Sequence, residues 1–496
     1  LLAYKEAITA QLDTAARRSG GKFSFRFIEP EARDGVVARH IENEWGFRPM
    51  VAAMEQDNEF FFYLTLADTR QVVQLPTEDF DPTGFRLMLD AGLKRFASGF
   101  TKTVALVLPN VNQQMAQYNL GGPTFGQLER AVTRDHSIRL ENIDDGSVTP
   151  EADILAVIAP QKLQDRAIFA IDQFLMRGGT VVLATSAYTA ELSDGQLRLT
   201  DWRSGLDEWL AHHGIKIHKT LVLDEQNAAF PAPVTRQAGT YEFQDVRMID
   251  YPYFIDLRPP GLEREHPVTA NLPQLTMAWA SPIEVTPGTG RRINRLLRSS
   301  PASWLSDNPT IMPSEGAEGL HSFLPDSSGE STAAETVRRG RNLLGAVVQG
   351  RFDSFFSDRP HPLDDEQSNP EVESGPGVTS LVKRSPESAR IVLYASNDFL
   401  DDQVLNAQIA ATGTQYLGPL ELFLNTVDWA VQDDQLLAIR SRAHFNRTLP
   451  PMERQAQAFI EYFNYALAVL WLVLLAILHW LFKMLRRRRY AKGLSL

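Results

Sequence analysis

The sequence predicts an α/β protein: a doubly wound, mostly parallel sheet with a β-rich insertion, a small α/β layer ahead of it, and one C-terminal transmembrane helix. Three observations predict it. From Thr103 onward, apolar strand-like runs alternate with helical segments, the rhythm of βαβ crossovers. Between about residues 245 and 388 that rhythm gives way to β-rich and loop-rich sequence. Near the end, Tyr465–Phe482 (YALAVLWLVLLAILHWLF) is an 18-residue apolar run with His479 as its one strongly polar member.

Taken in order, residues 1–19 (LLAYKEAITAQLDTAARRS) have the spacing of an amphipathic helix, stopped by Gly20-Gly21. Phe23, Phe25 and Phe27 alternate with Ser24 and Arg26, which predicts a half-buried strand ending at Glu29-Pro30. A short helix is expected over Asp34–Trp45, a hairpin over Glu59–Leu66 and Arg70–Leu75 around Asp68-Thr69, and a helix over Phe85–Ala97. These make a small α/β domain over residues 1–100. The chain opens at Leu1 without Met or a signal peptide, so this domain is expected to be truncated and to lack an upstream membrane segment.

The larger domain is expected over residues 101–445. Thr103–Leu108 reads as a buried strand, Thr124–Arg134 as a helix with Pro123 near its start, and Ile138–Glu141 as a second strand. Ile154–Ile158 is a third strand, Asp165–Met176 a helix closed by Gly178-Gly179, and Thr180–Ala184 a fourth strand. A helix over Leu206–His213 and a strand over Lys216–Val222 extend the pattern. Pro282–Thr286 and Ile293–Arg298 flank Pro287-Gly288-Thr289-Gly290 as a hairpin. Leu343–Phe356 is a buried strand between two long loops, 306–340 and 357–388, rich in Ser, Pro, Gly and acids. The α/β rhythm returns with a strand at Arg390–Ala395, a helix at Gly418–Ala430 and a last strand at Gln435–Ile439, so both ends of this domain share one sheet.

The apolar run reaches roughly 27 Å as a helix, close to the ~30 Å hydrocarbon core of a bilayer. A core helix with a basic end is the plainer alternative, but core helices seldom stay apolar on every face for this long. The transmembrane helix is therefore placed at 457–485. Tyr465, Trp471 and Trp480 supply its aromatic anchors and Arg486, Arg487, Arg488 and Arg489 its basic flank. The positive-inside rule keeps the tail, 486–496, cytoplasmic and puts the body across the membrane. Before residue 456 there are 43 basic and 60 acidic residues, a net of −17, which argues against nucleic acid or anionic lipid as a ligand of the body. With no cysteine, thiol nucleophiles, disulfides and Cys-held metals are excluded, and a body of this size without disulfides suits a bacterial periplasm.

Site candidates are few. Gly121, Gly122 and Thr124 lie between a strand and a helix, where doubly wound folds bind ligands, but without G-x-G-x-x-G spacing they are foremost the start of a helix. Ser396, Asn397 and Asp398, with Asp401 and Asp402, follow a strand at the loop edge where α/β sites form; capping of the next helix is the preferred role for Asp398. His212, His213 and His218 lack metal-ligand spacing and read as histidines favoured at a helix C-terminus by its dipole. There is no Walker A sequence and no G-x-S-x-G elbow. No catalytic residue, cofactor or metal is assigned.

Several segments resemble the GldG-like auxiliary component of ABC-type transporters, a family named for gliding motility. They are GGKFSFRFIEP (20–30), QFLMRGGTVVL (173–183), GIKIHKTLVLD (214–224), 344–356, SNDFL (396–400), FLNTVDW (423–429) and 437–440. The resemblance implies a thioredoxin-like N-terminal layer and a central domain similar to the class I glutamine-amidotransferase-like fold, both without their cysteine chemistry. It also implies a non-enzymatic subunit in the bacterial inner membrane. Its expected partners are a separate permease, a Walker-A ATPase and an envelope glycan, lipid or protein. The alternative is a periplasmic hydrolase or transferase acting on glycan or peptide at the strand ends. A strand-end cleft with two close carboxylates would favour that alternative, and a filled surface the accessory subunit.

Overall fold

In the computed structural model the described residues are 2–30, 37–38, 41, 50–51, 59–60, 63–67, 72–75, 85, 89, 93, 102–109, 122–193, 196–238, 241–309, 311–312, 323, 339–360, 362–363, 381–412, 417–431 and 454–493. Two compact units contain them, Leu1–Arg442 and Ala443–Leu496.

The first unit begins with helix α1 (Leu2–Arg18). Its Ile8 and Leu12 pack with Leu66, Phe85 and Leu89, and Phe23 and Phe25 lie against them. Two short antiparallel pairs follow: β1 (Met50–Val51) with β2 (Glu59–Phe60), and β3 (Leu64–Ala67) with β4 (Val72–Leu75). The segment Phe23–Glu29, expected as a strand, pairs with no strand among the described residues. Its side chains explain this in part, since Phe27 and Ile28 remain 46% and 40% exposed and so gain little from burial. Most of the helices expected over Asp34–Trp45 and Phe85–Ala97, and the strand over Gln435–Ile439, lie outside the described residues.

A seven-stranded sheet organises the rest. Its parallel part runs β20 (Arg390–Tyr394), β8 (Thr180–Ala184), β7 (Ile154–Ile158), β5 (Thr103–Val107), β6 (Ser137–Leu140). Two antiparallel strands, β19 (Leu343–Gly350) and β17 (Arg291–Arg298), continue it beyond β20. Strands as apolar as ILAVI, TVVLA and RIVLY need cover on both faces. Leu155, Val157, Val181, Leu183 and Ile391 pack under helices α3 (Asp165–Met176) and α4 (Asp207–His212), through Ile171, Leu175 and Trp209. The alternate residues Ile154, Ala156, Val182 and Val392 face α2 (Gly126–Thr133) and α6 (Gly418–Ala430), through Leu128, Val132, Leu422 and Phe423. A buried pair, His136 Nε2 to Asp428 Oδ1 at 2.8 Å, ties the turn before β6 to α6.

A second layer of strands surrounds this core. Hairpin β9 (Tyr188–Ser193) and β10 (Gln196–Asp201) follows β8. Strands β11 (Ile215–Ile217) and β12 (Leu221–Leu223) come next, then the long hairpin β13 (Asn227–Ala238) and β14 (Tyr241–Leu257), the latter paired with β15 (Leu275–Ala278). Strands β16 (Ile283–Val285) and β18 (Trp304–Ser306) pair with β11 and β12.

Two expectations are corrected here. The single strand over Lys216–Val222 is two, β11 and β12, and neither enters the large sheet; the polar His218-Lys219-Thr220 turn splits them, and each finds an antiparallel partner elsewhere. The 282–286 and 293–298 runs do not pair with one another. Pro287–Gly290 instead carries the chain from β16 into β17, which pairs with β19 in the large sheet. That crossing is close: a Cβ on Gly350 would sit 2.5 Å from the Gly290 carbonyl oxygen, so only glycine fits at φ +140°. Helix α5 (Asp402–Thr412), the β9–β10 hairpin and the β13–β14 hairpin were not read from sequence.

The second unit is helix α7 (Arg454–Gly493). Within it Ala458–Met484 is a 27-residue span whose most apolar 18 residues have a mean hydropathy of 2.3 and are unburied, long enough to cross a membrane at roughly 40 Å. Tyr465, Trp471 and Trp480 are exposed along it, and Arg486–Arg489 lie in its last turns. The Tyr465 hydroxyl donates to Glu461 Oε1 at 2.9 Å, and Phe459 stacks on Phe463.

Candidate functional site

The C-terminal ends of β8 and β20 lie side by side, where α/β sheets hold their ligands. Strand ends leave N–H and carbonyl groups without ladder partners, and here the chain's own polar side chains take them up. The Asn397 amide donates to the Ser186 and Tyr188 carbonyls at 3.1 and 2.7 Å, and its oxygen accepts the Ser186 N–H at 3.3 Å. Ser186 and Ser281 share a hydroxyl–hydroxyl bond of 2.9 Å, and the Ser396 hydroxyl donates to the Ala278 carbonyl at 2.6 Å. Asp398 accepts the Thr189 hydroxyl at 2.5 Å and the Ala190 N–H at 3.4 Å. All of these side chains are at most 3% exposed. The strand ends are filled.

Three carboxyl groups meet at this edge in different settings. Burial pushes Asp398 well above the ordinary carboxylate range, against the bond from Thr189. Burial also raises Asp401 to about 7, although its carboxyl accepts the Gln403 and Thr124 N–H groups. Asp402, the first residue of α5, grips the start of α2: its oxygens accept the Gly126 and Gln127 N–H groups, both at 2.8 Å. Its own N–H donates to the Thr124 carbonyl at 2.8 Å.

This geometry corrects the cap assigned to Asp398. The helix starts four residues later, and Asp398 is buried against β9. The capping carboxylate is Asp402, and it caps a different helix, α2. The N–H groups at the start of α2, the feature that made Gly121, Gly122 and Thr124 a candidate edge, are therefore occupied by Asp402. Thr124 is joined to the Asp401–Asp402 segment through both its backbone groups. Gly122 is exposed at φ +99°, and Gly121 lies outside the described residues. The sequence carried one signal for this arrangement, the Asp398–Asp401–Asp402 spacing, but nothing in it identified Thr189, Ser186 or Ser281 as partners.

The histidines are also settled by packing. His213 ends α4 buried against Trp209 and Phe352, and burial holds it well below the usual imidazole value, so it is neutral. A helix dipole favouring its cation is thus not the reason it is there. Among the described residues no three His, Cys, Asp or Glu side chains are grouped to hold a metal ion.

Residues 126–427, more than half the chain, match the family described as an ABC-type uncharacterized transport system. The chain belongs to this family. Its place is with the auxiliary components of ABC transport, in agreement with the coarser part of the resemblance read from sequence. No curated protein matches the chain. Among solved structures it is similar to the mmIFT52 N-terminal domain, with a TM-score of 0.34, 10% identity and coverage of 66% of this chain and 98% of that one. It is also similar to a structure described as thua-like, from Bacteroides uniformis ATCC 8492, with a TM-score of 0.29, 11% identity and coverage of 68% and 93%.

Proposed function

We propose that this protein is a non-enzymatic, membrane-anchored accessory subunit of a GldG-like ABC transporter. Its body stands on the periplasmic side of the bacterial inner membrane and its arginine tail in the cytoplasm. It works with a separate permease and a Walker-A ATPase, and passes the binding of a substrate or envelope partner to the permease through its membrane helix. In this reading the body is a doubly wound, amidotransferase-like α/β domain preceded by a thioredoxin-like layer.

The observation that carries the reading is the family match together with what fills the sheet. Where an α/β enzyme keeps its cleft, Ser186, Ser281, Asn397 and Asp398 bond to one another's elements and are sealed from solvent. The two neighbouring carboxyl groups Asp398 and Asp401 are the feature that would suit a hydrolase or transferase, but at 1% and 7% exposure they offer no substrate room. The exposed apolar length of α7 supports the anchor.

Co-purification tests it. The tagged full chain, extracted from its native membrane, should bring down a permease and an ATPase. Replacing Tyr465–Phe482 with poly-Leu, the arginines kept, should leave the chain in the membrane but lose the permease, because a contact helix needs specific packing and a solitary anchor does not. Absence of any permease from the wild-type sample would refute the accessory role. Unchanged recovery with poly-Leu would confine α7 to anchoring.

A further inference from the structure

The polar side chains of the membrane span fall on one side of helix α7. Between Ala458 and Met484 the charged or strongly polar residues are Glu461, Asn464, His479 and Lys483. Glu461 and His479 are separated by about five full turns at ~3.6 residues per turn, so they point the same way. Asn464 lies roughly 60° to one side of that line and Lys483 roughly 40° to the other. The Tyr465 hydroxyl, bonded to Glu461 Oε1 at 2.9 Å, joins them. The opposite side, with Phe459, Phe463, Leu470, Leu474, Ile477 and Leu481, is apolar throughout.

Depth accounts for part of this pattern. Glu461, Asn464 and Lys483 flank the Tyr465–Phe482 run, at levels where headgroups and water solvate polar groups, and His479 lies inside the run near its end. Depth sets how far along a helix a polar residue is tolerated, but not the direction it faces. A helix surrounded by lipid meets the same solvent all round, so a shared side is what a protein neighbour imposes.

We propose that this side of α7 docks on a transmembrane helix of the permease, an inference that rests on the accessory-subunit reading above. Charge selects that occupant over a second copy of this chain. Two copies inserted the same way round would bring Glu461 against Glu461 and Lys483 against Lys483 at matching depths, and like charges repel most where water is scarce. A different helix satisfies both ends. It would carry a cation or hydrogen-bond donor level with Glu461 and Asn464, and an acid or acceptor level with His479 and Lys483. Ala468, small and central on the same side, lets the two backbones approach.

Cross-linking of the full chain in its native membrane tests the face. A photoreactive phenylalanine analogue in place of Leu472 or Leu475, on the polar side, should join α7 to the permease, identified by mass spectrometry of the adduct. In place of Leu470 or Ile477 it should join no protein. Glu461→Leu, Asn464→Leu and His479→Leu together keep a helix able to anchor and should cut permease recovery about tenfold or more. Phe459→Leu with Ile477→Leu should leave recovery unchanged. Equal adducts from both sides, or full recovery with the triple variant, would overturn the docking face. So would a disulfide-linked dimer of Leu472→Cys, readable without background because the chain has no cysteine, since it would seat a second copy there. A wild-type chain that brings down no permease at all would sink the accessory reading itself, a result distinct from one that recovers the permease yet cross-links on no particular side.

Discussion

Replacing Asp398 by alanine separates a surface cap from a buried structural acid. As a helix cap its loss would cost about 1 kcal/mol. In the folded protein the side chain is 1% exposed and accepts two donors, the Thr189 hydroxyl at 2.5 Å and the Ala190 N–H at 3.4 Å. Alanine strands both donors in a site too closed for ready hydration. One short bond with a buried partner is worth ~1–3 kcal/mol when broken from one side, and the longer bond adds less. The expected loss is about 3 kcal/mol, most of it local to the β8–β20 ends. Burial disfavours the charged form of this acid, and Asp398→Asn, which retains an acceptor and carries no charge, should cost under ~1 kcal/mol. Urea unfolding of the full chain in detergent at pH 7, followed by tryptophan fluorescence, gives both values; the Trp202 N–H bonds the Ala187 carbonyl beside this edge, and Trp279 follows Ala278, whose carbonyl accepts the Ser396 hydroxyl. The reasoning fails if alanine costs no more than a cap, or if asparagine is as damaging as alanine. A measured turnover abolished by Asp398→Asn in a stably folded protein would sink the non-enzymatic reading.

Other outcomes follow from the same physics. His266 is held at about 4 by burial against Trp429, so the folded state refuses a proton that the unfolded chain accepts. Stability should fall as pH drops from 6.5 towards 4, by up to about 1.4 kcal/mol per unit from this group; His266→Phe should flatten that part of the profile measured by thermal unfolding. Asp401 has the opposite sign: its raised value makes stability fall as pH rises from about 4 to 7, and Asp401→Asn should remove that slope. For topology, a reporter active only in the cytoplasm should work when fused after Leu496 and fail when inserted at Ser328; the reverse would invert the proposed orientation.

The parallel heart of the sheet was legible because its strands are apolar on both faces. Runs such as ILAVI and TVVLA, separated by a helix of twelve residues, leave little choice of element. Strands β11 and β12 were harder, since three polar residues between two three-residue runs change a strand into a turn only when partners exist on either side. The destination of β17 was invisible: an apolar–polar alternation states that a strand forms, and says nothing of which neighbour accepts its edge. Helix α5 was missed because its DQVLNAQIAAT pattern is weakly amphipathic and its fixing contacts come from α2 and β13.

What the sequence determined by itself is whatever local geometry and composition decide. The apolar length of Tyr465–Phe482, the arginines beyond it, the acidic body, the lack of cysteine and the buried strands all act through periodicity, length and charge, which need no knowledge of distant residues. What only the tertiary structure decided is the chemistry of the strand ends. Asp402 caps a helix 275 and 276 residues earlier in the chain, and Asp398 bonds a threonine 209 residues away. A carboxyl group's role, whether cap or buried acid, depends on which donors and how much water surround it. Those surroundings are assembled by packing between elements far apart in sequence, so the same Asp398–Asp402 segment reads as an open edge in one dimension and is a sealed junction in three.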